Sequence, residues 1–479
     1  MFNIDWRPIP NLASDISLLF LGRFLEIETA GRLLIGVCVV STVFGVVFLH
    51  RVNFGCWGWW PLLAVIPAFH GALSAGFINY SIGIALLPSF LAISLWLRDH
   101  HPFYQIVANS TFALLLFFCH VISVGLFGLF LFGFEFWRFA KNKKRISDHI
   151  FLIRNLFFLF LPFVLPAFFY INQSLSKVLE RDSPLIIGGW SIDSKIRGIM
   201  MPFIGGDYLL DFFAGFVFYC LFIFLTFMRK IIIKPQLVIG LVITTVLFII
   251  LPGQMLDAAF IADRLPIAVF LIAIASTNPC NIKSRHTIFF AMLVFVLALA
   301  RSASMTMSWL ESDRYYLRVN KLVESVEPGS SILIVSPMAE LKDKGFRFWH
   351  NMRMTSPNWH FSLLNIPTLH SFPVIPLTRR SVFSQLHFVW ADKQILSLAP
   401  SYSDLNFGDG GDSTWDPTFI FGRNGMGRMA MSGIAKRFDY ILVVYADHLS
   451  PELRSDIDRR FPIYADKEII LLRVSLPAF

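Results

Sequence analysis

Charge is scarce in this sequence: 15% of its 479 residues are Asp, Glu, Lys or Arg, against 56% hydrophobic. Such a balance excludes a soluble globule, and the apolar residues cluster into runs long enough to enter lipid. Cysteine is nearly absent. The five, at positions 38, 56, 119, 220 and 280, form no CxxC pair, and none falls in the polar C-terminal third. A disulfide framework and a cysteine metal site are thereby excluded. No Walker sequence and no GxSxG occurs, which argues against a nucleotide-driven pump and a serine hydrolase. A secretory signal is not expected either, since the first apolar run begins only at Leu33. The net charge of +9 does not indicate nucleic acid. From Leu310 onward 19 Lys/Arg meet 18 Asp/Glu, so the surplus lies between the hydrophobic runs, where basic residues mark the cytoplasmic side of a membrane.

What is abundant is hydrophobic sequence, including 52 Phe. Runs at 33–50, 59–77, 80–97, 105–120, 121–137, 151–171, 208–228, 236–252, 265–280 and 287–309 suggest about ten spans of an α-helical polytopic membrane protein. The stretch 105–137 would be about 50 Å long as one helix, too long for a hydrocarbon core of about 30 Å. It is therefore expected to turn near Cys119-His120. "RFAKNKKRISDH" carries five bases and one acid, and "RKIIIK" and "NIKSRH" carry three and two bases. Loop 172–207 balances four bases with four acids, and "GQMLDAAFIADR" has two acids and one base. The positive-inside rule then predicts residues 1–32 and 310–479 on the outer face.

Three domains are expected: an outer interfacial segment 1–32, a transmembrane domain 33–309, and an extracytoplasmic α/β domain 310–479. In the first, Leu12, Ile16, Leu19, Phe20 and Phe24 recur at helical spacing, predicting a surface-lying helix entered after Pro10 with Asn11 as N-cap. In the last, apolar runs at 332–335 and 441–444 and the segment "KEIILLRV" read as strands, with helices before the first and from about Pro451.

Polar side chains inside or at the edge of spans are costly and often functional. On the outer half these are Asp5, Asp15, Asn79, His120, Asp207, Asp211, Asp257, Asp263, Arg264 and Arg301, with His70 midway in its run. Each also has a structural reading. His70 can be a core histidine bonded to a carbonyl, and His120 can satisfy backbone at the turn. Asp207 and Asp211 can cap a helix, and Asp263-Arg264 can be an interfacial ion pair. Arg301 follows fourteen residues without a charge, so it must snorkel or meet an acid. Arginines beside carboxylates suit a phosphate-bearing lipid, since guanidinium binds phosphate bidentately and a carboxylate can deprotonate an acceptor hydroxyl. In the polar third, 422–427 ("GRNGMG") reads as a loop. Asp404, Asn406, Asp409 and Asp412 are spaced rather like a calcium loop, but Gly408 stands where an oxygen ligand is wanted. His350, His360 and His370 show no zinc-like pairing. No metal is assigned, and the cofactor is unknown.

At "DWRPIPNLASD" and "FHGALSAGFINYSIGIALL", and again at "DAAFIADRLP" and "DYILVV", the sequence resembles a group of bacterial polytopic membrane proteins similar to the GT-C class of glycosyltransferases. The resemblance implies a polyprenyl-phosphate-linked sugar donor, membrane lipid as partner, and a site at the outer face of the bacterial cytoplasmic (inner) membrane. It also implies a catalytic acid in the first outer loop. The look-alikes carry a further span and an acidic stretch ahead of the segment that opens this chain. Asp5 and Asp15 are the acids of that loop here, and either would be the base. His70, Asn79, His120, Asp257, Asp263, Arg264 and Arg301 are the expected substrate-binding residues, with Arg264 and Arg301 on the phosphate. The alternative is a non-enzymatic transporter or assembly partner in envelope polysaccharide export. A third class, polysaccharide polymerase or ligase, fits less well because its large outer loop usually lies between spans.

Overall fold

The structure, a computed structural model, describes residues 2–4, 6–98, 100–142, 158–180, 187–188, 190–205, 208–255, 258–280, 284–335, 383–384, 396–398, 438–444, 446–460 and 462–474. It divides into two compact units, Arg7–Thr306 and a second made of Met1–Trp6 with Met307–Phe479.

The first unit is helical. Among the described residues six helices are long and apolar enough to cross a membrane: Ile27–Phe54, Ile78–Leu97, Pro102–Cys119, Val121–Lys141, Leu210–Phe227 and Arg285–Met307. This is the make-up of a multi-pass membrane protein. Shorter apolar helices occupy Trp60–Ser74, Phe158–Asn172 and Pro235–Ile250. The run 59–77 is thus not one span. A 3-10 turn at Trp60–Ala64 and two four-residue helices, Val65–Ala68 and Gly71–Ser74, replace it. Hydropathy sums cannot see that break, because the pieces are as apolar as a helix would be. The 105–137 stretch does turn where its length requires: His120 is extended, at φ −167° and ψ 140°, between helices Pro102–Cys119 and Val121–Asn142.

Four buried hydroxyl groups in these helices are satisfied by their own helix. Thr42, Ser81, Ser94 and Thr244 donate to the carbonyls of Cys38, Phe77, Phe90 and Gly240, four residues back in each case. Close crossings depend on glycine. A Cβ on Gly133 would lie 2.5 Å from the backbone nitrogen of Gly240, so helices Val121–Asn142 and Val238–Ile250 touch backbone to backbone.

Two small ladders tie loops together. Ile231–Ile233 pairs antiparallel with Thr277–Pro279, joining the basic loop "RKIIIK" to the residues just ahead of "NIKSRH". Gln254–Met255 pairs with both Ile187–Gly188 and Ala258–Ala259, joining the charge-balanced loop 172–207 to the loop after residue 250.

The second unit is an α/β fold. Ser331–Val335, Tyr440–Val444 and Ile469–Arg473 form the middle of a five-stranded sheet. Tyr440–Val444 runs parallel to Ser331–Val335 and antiparallel to Ile469–Arg473. All three are buried on both faces, which explains why they read as continuous apolar runs rather than alternating ones. One face packs on Val319, Val323 and Val326, at and just beyond the end of the 40-residue helix Ser284–Val323. The other packs on Leu453 and Ile457 of helix Pro451–Asp458. The chain's first strand, Phe2–Ile4, pairs antiparallel with Leu396–Leu398 of the same unit.

Candidate functional site

The polar centre of the first unit forms around the start of helix Ile261–Ala275, which carries Asp263 and Arg264 in its first turn. The helix is entered through Phe260, whose φ of 57° is a left-handed conformation unusual for a bulky side chain. Backbone strain of this kind costs about 1–3 kcal/mol and collects at functional sites. Phe260 is held there by packing, with its ring 5.7 Å from that of Phe77 and the Arg197 guanidinium 5.2 Å from its centroid.

Arg264 is 5% exposed. Its Nη1 lies 2.7 Å from His120 Nε2, and its guanidinium sits 4.0 Å from the Phe77 ring centroid and 5.5 Å from that of Tyr80. The Tyr80 hydroxyl donates to the Arg264 carbonyl at 2.7 Å, locking the helix start against helix Ile78–Leu97. His120 also accepts from the Ile122 amide through Nδ1, at 3.1 Å. A neutral imidazole has one nitrogen lone pair, so the ring can accept from Ile122 or from Arg264 but not from both. The backbone role expected for His120 and the ligand-site role therefore compete within one ring.

Asp263 is fully buried. Its Oδ2 accepts from Arg197 Nη2 at 2.6 Å and from Nε at 3.2 Å. Its Oδ1, like Arg264 Nε, has no hydrogen-bond partner among the described residues. Arg197 belongs to helix Ile192–Met200, which also brings Lys195, whose Nζ donates to the carbonyls of Phe248 and Leu251. Arg197, Lys195 and Arg264 all act electrostatically on the one Asp263 carboxylate. Among the described residues the cluster thus has two more cations than carboxylates. A buried cation without a carboxylate of its own is costly, and an arriving anion removes the cost.

Arg301 meets a different fate. Its Nε donates to Asp211 Oδ1 at 3.1 Å, Nη1 to the Ile66 carbonyl at 2.5 Å, and Nη2 to the carbonyls of Phe203 and Phe69 at 2.5 and 3.2 Å. Asp211 accepts the Gly205 amide at 2.7 Å through its other oxygen. Of the two choices open to Arg301, the acidic partner is the one taken. Asp211 serves that pair from the first turn of its own helix, where its charge also suits the positive dipole end. The pair fastens broken segment Trp60–Ser74 to Phe203 and to helix Tyr208–Phe227, and every nitrogen of Arg301 is committed to protein.

His70 is the N-cap of Gly71–Ser74, accepting the Leu73 amide at 3.1 Å. It therefore bonds an amide and not the expected carbonyl, while its ring lies 6.3 Å from that of Tyr80. Asn79 reaches the opening segment. Its Oδ1 accepts the Ser14 amide at 2.7 Å and its Nδ2 donates to the Asn11 carbonyl at 2.8 Å. The opening helix, Ala13–Leu21, is thus capped by a side chain from another element rather than by Asn11. Asn11 instead supplies the left-handed turn, φ 68°. The Leu12 amide donates to the Phe118 carbonyl, two residues before His120. Asp15 stands in the first turn of this docked helix, its side chain open to the surface. Partial loss of hydration raises its carboxyl above the ordinary value.

Asp5, Asp207 and Asp257 lie outside the described residues, as do His350, His360, His370, the calcium-like spacing at 404–412 and the loop 422–427. No group of three or more His, Cys, Asp or Glu that could hold a metal occurs among the described residues. Sequence reasoning missed Arg197, Lys195, Tyr80 and Phe77. The signal for the first two was the spacing in "IDSKIRGIM", where Ile192, Ile196 and Ile199 fall on one helical face, Lys195 at its edge and Arg197 on the far side. Compared with known protein families, curated proteins and solved structures, the chain matches none.

Proposed function

We propose that this protein is a membrane glycosyltransferase of GT-C type, transferring a sugar from a polyprenyl-phosphate-linked donor at the outer face of the bacterial cytoplasmic membrane. The observation that carries the reading is the guanidinium of Arg264, buried against His120 in a cluster that, among the described residues, has two more cations than carboxylates. A lipid phosphate supplies the missing anion, and charge-assisted bonds from Arg264 stabilise it further as it becomes the leaving group. His120 is freed to accept from Ile122 once Arg264 turns to the phosphate. The opening helix, fastened beside this cluster through Asn79 and Phe118, presents Asp15. In the reaction the acceptor hydroxyl gives its proton to that carboxylate, its oxygen bonds the anomeric carbon, and polyprenyl phosphate leaves with the bonding electron pair. Asp5 and Asp257 keep the roles expected of them, as base and in substrate binding. Arg301 frames the site without touching the donor.

A transporter or assembly partner would place buried charge through the whole depth of the bundle. Among the described residues the buried charged side chains are Asp211, Asp263, Arg264, Arg301 and Glu135. Glu135 alone lies toward the basic-loop end, tied to Arg138 at 2.9 Å. That distribution favours the enzyme.

The test is binding and turnover with purified protein in detergent. Wild type should retain polyprenyl phosphate over polyprenol in native mass spectrometry, and R264L and H120Q should lose the preference. D15N should bind but not transfer sugar from a loaded donor. Equal retention of phosphate and alcohol by wild type refutes the phosphate site, and phosphate binding without transfer by wild type supports the non-enzymatic alternative.

A further inference from the structure

We infer that helix Ile192–Met200, with Trp190 ahead of it, is an interfacial helix whose outer face lies in the headgroup–acyl boundary of the bilayer. Nine residues make about 14 Å of helix, far short of a span. Its residues nevertheless sort by face. Ile192, Ile196 and Ile199, at i, i+4 and i+7, are 71%, 37% and 41% exposed, whereas Ser194, Gly198 and Met200 are buried. The buried face is fixed to the bundle, so the exposed stripe is not the by-product of a loose loop. Arg197 holds Asp263, Lys195 holds the Phe248 and Leu251 carbonyls, and a Cβ on Gly198 would come within 2.6 Å of the Phe248 ring. A reciprocal Ser191–Ser194 capping box secures the N-terminus.

The occupant follows from what borders the stripe. Tyr219 of helix Tyr208–Phe227 donates to the Ile199 carbonyl, and Trp190 donates to the Ile249 carbonyl at the end of helix Val238–Ile250. Phe212 and Phe216 on the first of these helices, and Ile249 and Ile250 on the second, are exposed apolar residues. The stripe therefore continues the lipid-facing surface of two neighbouring helices, and whatever covers one covers the other. Bilayer lipid does so without a further surface. Trp190, exposed yet with its indole N–H bonded, has the split character of side chains found at the membrane–water boundary. The seating depends on the membrane reading but not on the sugar-transfer chemistry.

Nitroxide accessibility tests it in the full chain, reconstituted into phosphatidylcholine–phosphatidylglycerol vesicles after the native cysteines are replaced. A label on Ile196→Cys should collide with oxygen several-fold more often than with a water-soluble nickel chelate, at a depth shallower than a label on Phe216→Cys. Ile199→Cys carries the same test if the first variant does not fold. Preference for the nickel chelate places the stripe in water, and exclusion of both reagents places it under protein, a second copy included. Either result overturns the proposal. An oxygen-inaccessible Phe216→Cys label removes the membrane reading itself, a failure distinct from the other two.

Discussion

Arg264 and Arg301 are both buried in the helical unit, and the protein treats them oppositely. Around Arg301 every nitrogen is bonded to protein, one carboxylate cancels the charge, and Gly205 leaves room for the guanidinium, since a Cβ there would come within 2.6 Å of Nη2. Around Arg264 the acceptor is a histidine already claimed by an amide, two aromatic faces supply the rest, and Nε has no hydrogen-bond partner among the described residues. One arginine is an internal fastener. The other is held at a cost, and that cost is the ground on which a binding role is proposed for it.

Mutations can break this contrast in order of expected effect. R301L leaves the Asp211 carboxylate buried and three carbonyls short of a donor, and should destabilise by about 3–5 kcal/mol, read as a lowered unfolding temperature in detergent. Replacing both partners, D211L with R301L, should recover much of that loss. R197Q strips Asp263 of its ion pair while a side chain 31% exposed is changed, so about 2 kcal/mol is expected by the same measurement. R264L should leave stability within about 1 kcal/mol of wild type and weaken polyprenyl-phosphate binding about tenfold, or about 1.4 kcal/mol. A loss of stability as large as that of R301L would erase the distinction between the two arginines. N79A removes the cap and tether of the opening helix, worth about 1 kcal/mol, and should speed hydrogen exchange at residues 12–21 while leaving the rest of the bundle unchanged.

A third arginine supplies the smallest effect. Arg318, 42% exposed, bridges Asp466 at 2.5 Å and also bonds Glu468. Burial alone would lift the Asp466 carboxyl, but the Tyr464 hydroxyl, the amides of Glu468 and Ile469, and Arg318 outweigh it and bring it down to about 2. A depressed carboxylate stabilises the fold above its unfolded value of about 3.9, and the contribution disappears as pH falls from there toward 2. D466N should flatten acid unfolding of the α/β unit in that window, by no more than about 1 kcal/mol because the cluster is largely solvated.

How much of this was legible follows from the range of each interaction. The hairpin at His120 was readable because chain length against bilayer thickness is a local argument, and strands 331–335, 440–444 and 469–473 because doubly buried strands are runs of Ile, Leu and Val. The need of Arg301 for an acid was readable, but its identity was not: Asp211 is 90 residues away and looked like a helix cap. Asn79 as the cap of a helix 65 residues earlier was hidden for the same reason. Lys195 and Arg197 disappeared into a loop whose charges balance, since net charge carries no information on which base faces which acid. The break at residues 59–77 was invisible to hydropathy, which measures solvent preference and not hydrogen-bond continuity.

The pairing of Phe2–Ile4 with Leu396–Leu398 fixes an order of events at the ribosome. Roughly 390 residues separate the two strands, which at about 5–20 residues per second is about 20–80 seconds of translation. Throughout that interval the strand Phe2–Ile4 is an edge still waiting for its partner. Biogenesis of this protein therefore has to protect that edge until residues 396–398 arrive, and translation stalled before residue 396 leaves the edge open to aggregation.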